Sequence, residues 1–119
     1  MAEFLVLLLA LLSAHYIADF AMQNDFVANM KAKVHTDPHG WHCLIAHSVH
    51  HAALSASVVA AAGLIYGWSS VTLTAVLTFA VIFTSHLLID YGKAVKNWYG
   101  IDVDQLLHIL VILIVCLVI

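Results

Sequence analysis

The stretch Thr84-Ser85-His86-Leu87-Leu88-Ile89-Asp90-Tyr91 closes an apolar run, beginning near Val71, that is long enough to cross a bilayer. A histidine and an aspartate four residues apart lie on one face of a helix, one turn apart. His15/Asp19 repeats that spacing, Asp104/His108 reverses it, and His47/His51 keeps it with two imidazoles. Any fold for this chain must therefore accommodate four long apolar segments and a polar pair in each.

Hydrophobic residues make up 64% of the 119 positions and charged residues only 9%, with a mean hydropathy of +1.01. A soluble domain carries about 25% charged residues, so the composition is that of an integral membrane protein. One proline and five glycines leave long uninterrupted segments for helices. Arginine is absent and lysine occurs four times, which excludes a nucleic-acid surface. Cys43 and Cys116 have no CxxC spacing and read as packed thiols. The first segment carries Glu3 and no basic residue before its apolar run, so it reads as a retained span and not as a signal peptide.

The expected fold is all-α: residues 1–119 form a single integral membrane domain, an up-down-up-down antiparallel bundle of four transmembrane helices. The spans are expected at about 2–23, 41–66, 71–90 and 103–119. In the first, His15, Asp19 and Gln23 make a narrow polar stripe. Asn24-Asp25 is expected to cap a short interfacial helix, Phe26 to Lys33, ahead of a loop around Asp37-Pro38 and Gly40. Gly67-Trp68-Ser69-Ser70 reads as a tight turn, and Tyr91 to Val103 as a second polar loop. The fourth segment is short for a span, and no polar tail follows it.

Chain direction ties these segments together. The polar end is C-terminal in the first and third spans and N-terminal in the second and fourth, so strict alternation brings all four to one side. Lys31, Lys33, Lys93 and Lys96 lie in the two loops on that side. The positive-inside rule then predicts an inner-membrane protein with the polar end toward the cytoplasm and both termini outside.

An aspartate within a span costs about 2.5–3.5 kcal/mol on insertion scales. A bound cation would remove most of that cost for Asp19, Asp90 and Asp104. The candidate metal ligands are His15, Asp19, His47, His51, His86, Asp90, Asp104 and His108. Imidazole with carboxylate suits zinc, iron or manganese, and this many donors suits one or two ions. His50, about 100° round the helix from His51, is a candidate proton shuttle or an alternative ligand. Gln23 and Gln105 are candidates to orient a ligand. Ser13, Thr84 and Ser85 are expected to bond back to their own helices, and His35, His39 and His42 carry no role.

These residues point to a membrane-embedded metal-binding protein. As an enzyme it would be a metal-dependent hydrolase with a site near the cytoplasmic face, acting on a lipid-linked or amphiphilic substrate. Transport of a divalent metal or of protons is the alternative, for which a homo-oligomer would have to complete the polar path. A membrane scaffold held by a structural His/Asp network is the third reading.

Four motifs, His15-Tyr-Ile-Ala-Asp19-Phe20 with Gln23, the His47/His51 region, His86-Leu-Leu-Ile-Asp90-Tyr91 and Asp104-Gln105-Leu-Leu-His108, carry a resemblance to domain-of-unknown-function family 3307. Its members are short bacterial and phage-encoded integral membrane proteins, and the resemblance implies membrane residence and no activity. The motif style is also similar to membrane-bound proteins predicted to be metal-dependent hydrolases.

Overall fold

Hydrocarbon offers backbone amides no water, so a spanning segment satisfies them best within itself, as a helix. The computed structural model describes residues 1–119 and has no strands. The α-helices are α1 (Ala2–Tyr16), α2 (Asp25–Met30), α3 (Gly40–Tyr66), α4 (Val71–Asp90) and α5 (Ile101–Val118). A π-helical turn continues α1 over Ile17–Ala21, and another continues α4 over Tyr91–Val95. Four of the resulting helices are long and apolar enough to cross a membrane: Ala2–Ala21, Gly40–Tyr66, Val71–Val95 and Ile101–Val118.

Local chemistry explains where the elements start and stop. Asn24 is extended, and its side chain accepts from the Val27 amide at 2.9 Å, which caps α2. That helix ends at Met30 and not at Lys33; beyond it the chain turns and buries Lys31 and Val34. Gly67, at φ +70, takes the left-handed conformation that ends α3. Two boundaries differ from expectation because π turns intervene. The first helix stops at Ala21, so Gln23 falls off the stripe; the third span runs on to Val95, which shortens the following loop.

α3 packs against both α1 and α4, and α5 packs against the same two helices, so the four spans close a ring. Leu11, Ala52, Val59, Ile82, Ile112 and Cys116 lie at its centre. Lipid tails are as apolar as these side chains, so association rests on close packing and polar contacts, not on hydrophobic transfer. Leu9, Leu64, Leu77 and Leu117 are exposed on the outside, where acyl chains would cover them. Both cysteines are free and buried.

Gly40 joins the loop to α3 where no side chain fits. A Cβ there would meet Lys33 and Val34 backbone atoms at 2.6 Å. Gly40→Ala is therefore expected to cost about 1–3 kcal/mol, the usual penalty of overpacking, read as a lower unfolding midpoint in detergent.

Candidate metal centre

Each span delivers one pair. α1 and its π turn bring His15 and Asp19, α3 brings His47 and His51, α4 brings His86 and Asp90, and α5 brings Asp104 and His108. All are buried except Asp19, whose side chain keeps 11% exposure. Both π turns fall at an Asp/His pair: one contains Asp19, and the other begins directly after Asp90. Such turns are frequent at functional sites.

Asp19 sits at the focus. Its Oδ1 lies 3.2 Å from His47 Nε2 and 3.1 Å from His51 Nε2. Neither imidazole nitrogen is in hydrogen-bonding geometry, and both are buried without a partner. Around a tetrahedral ion with bonds of about 2.0–2.1 Å, neighbouring donor atoms stand about 3.3 Å apart. The observed separations are close to that edge length. With His86, which stacks on His51 at 3.7 Å between centroids, these residues offer four donor atoms within 4.8 Å of one another.

The surroundings orient these donors. Asp19 Oδ2 accepts from the Gln105 amide nitrogen at 2.8 Å. A carboxylate only accepts, so this contact fixes the amide, and its oxygen faces His15 Nε2 at 3.2 Å. That nitrogen must then carry a proton. His15 thus stands beside the donors, joined to Asp19 through Gln105, and lies outside both sets of converging ligand atoms. His108 Nδ1 donates to the Asp104 carbonyl at 2.8 Å, so its buried Nε2 holds the lone pair. His86, Asp90 and His108 form a second set within the same 4.8 Å limit. Removing the orienting amide with Gln105→Ala is expected to weaken metal binding by about 10–100-fold, measured by competition with a chelator.

Two lysines belong to the cluster. Lys31 Nζ donates to Asp90 Oδ2 at 2.6 Å, and Lys93 Nζ donates to Asp104 Oδ2 at 2.8 Å. Lys31 is only 7% exposed. In the sequence these lysines stand out only as markers of orientation. A signal was nonetheless present: three intramembrane aspartates require countercharge, and the chain has only four basic residues. Lys33 and Lys96 remain exposed in the loops. Asp19 is thus the one cluster carboxylate without a lysine.

Other expectations fare differently. His50 is exposed on α3 and faces away from the cluster, so the expected proton shuttle has no place in this geometry. Asp104 lies outside both donor sets, held by Lys93. Gln23 Oε1 is buried with no hydrogen-bond partner. Ser13 and Ser85 do bond back to Leu9 and Val81 carbonyls, and Thr84 makes no such bond. Outside the spans, His35 meets the Tyr91 hydroxyl, and the His39 amide and ring hold the Asp37 carboxyl below its usual range. Tyr99 donates to the Ile89 carbonyl at 2.7 Å, and burial, aided by Asp104 and Asp90, raises its phenol above the ordinary value.

Little space adjoins the donors. The cavity bordered by His15, His51, His86 and His108 is about 10 Å³, room for one water at most. A larger cavity of about 380 Å³ lies between Trp68 and the C-terminal turn of α5, at the other end of the bundle.

The family described as "Protein of unknown function (DUF3307)" matches residues 7–119. The chain belongs to DUF3307. No curated protein and no solved structure matches it. The DUF3307 match spans all four polar pairs, Gln105, and Lys31 and Lys93.

Proposed function

We propose that this DUF3307 protein is a membrane-embedded metal-binding protein in which one divalent transition ion joins α1, α3 and α4. The observation that carries this reading is the convergence of buried, unpartnered His47, His51 and His86 nitrogens on the Asp19 carboxylate. Unsatisfied polar atoms inside a bundle are costly, and several together call for a shared partner. Three imidazoles with one carboxylate suit zinc, iron or manganese.

The charge arrangement favours one ion over two. Lys31 and Lys93 already neutralise Asp90 and Asp104, which leaves a single carboxylate for a cation. Four protein donors also close a tetrahedral site, which is the pattern of a structural ion; a catalytic ion keeps an open position. With only a water-sized cavity beside the donors, holding the ion accords better with the geometry than hydrolysis of an amphiphilic substrate. The proposed setting is the inner membrane with the cluster toward the cytoplasm, which the exposed Lys33 and Lys96 support.

A ligand present at 100 times its Kd stabilises its folded target by about 2.7 kcal/mol. Zinc at that excess should stabilise wild type and the exposed-face variant His50→Ala alike, and leave His51→Ala unchanged. Equal midpoints for wild type with and without zinc, iron and manganese would sink the proposal.

A further inference from the structure

Ser70, Thr74, Thr78, Ile82 and His86 recur at every fourth position along α4 and so share one face of it. Both cavities in the bundle are bordered by this face and by α5. The small one beside the donors meets His86 and Ile82 of α4 and His108 and Ile112 of α5. The one of about 380 Å³ meets Ser70, Thr74 and Thr78 on one side and Val115 and Ile119 on the other. It starts at the exposed Ser69 and Ser70 and reaches Thr78, about 10 Å along α4 from Val71. From Thr78 to Ile82 is about 6 Å, a single turn. Ile82 and Ile112, both in the apolar core, are what stands between the two spaces.

The buried hydroxyls say what fills those spaces. Three hydroxyl residues are buried, Ser48, Ser55 and Thr78. Ser48 donates to the Leu44 carbonyl of its own helix at 2.9 Å. Ser55 borders the small cavity and Thr78 the large one, and neither hydroxyl bonds back in this way. A buried hydroxyl without a partner is costly; an acyl chain offers it none, and water does. Beyond the isoleucines, polar groups continue to the opposite face. His108 Nε2 is buried without a partner beside the small cavity, and His108 Nδ1 donates to the Asp104 carbonyl at 2.8 Å. The Asp104 carboxylate accepts from Lys93, whose side chain is 27% exposed.

We infer that α4 and α5 enclose a gated aqueous path: a water-filled vestibule from the α3–α4 turn to Thr78, closed from the histidine cluster by Ile82 and Ile112. A narrow apolar layer between two wet spaces stops passage by dewetting. The function it adds is controlled passage of protons, which move along hydrogen-bonded water and polar side chains and fit a space the size of one water. The path lies within one chain and calls for no second copy. It goes beyond the ion proposed above, and neither the vestibule nor the gate requires that ion.

The experiment uses the full-length chain in lipid vesicles, with labelling counted above that of wild type and its two buried cysteines. Ser69→Cys marks the face that carries the α3–α4 turn. Thr78→Cys should react, from that same face, with a charged thiosulfonate that does not cross the bilayer, and Ile82→Cys should not. A Thr78→Cys chain that reacts only with a lipid-soluble maleimide shows an acyl chain in the vestibule and overturns the inference, as does reaction with neither reagent. Labelling of Ile82→Cys as readily as Thr78→Cys removes the gate. In the same vesicles, Ile82→Ser should lose an imposed pH gradient that wild type and Ile82→Leu hold. Equal retention by Ile82→Ser and Ile82→Leu also overturns the gate, and the labelling decides alone if Ile82→Ser does not assemble. Metal-free wild type, which sinks the ion proposal, leaves both readouts unchanged.

Discussion

Asp90→Ala should lower the unfolding free energy of the metal-free protein by about 3–5 kcal/mol, the cost of breaking a buried ion pair from one side. The change strands the Lys31 ammonium, 7% exposed, with no carboxylate at bonding distance. Domains of this size have about 5–15 kcal/mol in total, so the variant should be marginal. Replacing both partners with apolar groups is often neutral. Lys31→Met in the Asp90→Ala background should therefore restore most of the loss. Denaturant unfolding in detergent, followed by helical circular dichroism, reads both effects. A single-variant loss below about 1 kcal/mol, the range of exposed pairs, would contradict the burial of this pair.

Asp19→Asn should abolish metal binding while keeping the fold. Oδ2 of Asp19 accepts from Gln105, whereas Oδ1 faces His47 and His51. An asparagine satisfies Gln105 with its oxygen and turns its amide toward the two imidazoles, where N–H groups meet lone pairs. The apo cluster then gains hydrogen bonds and loses its only carboxylate without a lysine. The affinity loss should exceed the about 10–100-fold that follows removal of an outer partner. Chelator competition measures it, and unchanged affinity would exclude Asp19 as a donor.

The four spans were legible because each is a long apolar run, and such a run has one stable form in lipid. Their polar ends were legible from the four-residue spacings. The π turns after Tyr16 and Asp90 were not: Ile17–Ala21 carries no breaker and would suit an α-helix equally, and Gly92 made Tyr91–Val95 read as the start of a loop. Lys31 and Lys93 were readable only as residues of the segments between spans. A lysine has four rotatable bonds, and nothing in a linear sequence tells whether its ammonium reaches water or a carboxylate on another helix. His15 looked like a ligand by spacing; its hydrogen bond to Gln105, 90 positions away, sets it apart. His50 and His51 could be told apart only once the packing of α3 showed which of them is buried.

The central claim is that the His/Asp cluster holds one divalent transition ion through Asp19, His47, His51 and His86. Elemental analysis of purified, metal-reconstituted wild type beside an Asp19→Asn/His86→Ala double variant tests it most directly. One ion per wild-type chain and none in the double variant are expected. No ion in wild type, or the same content in both chains, would contradict it.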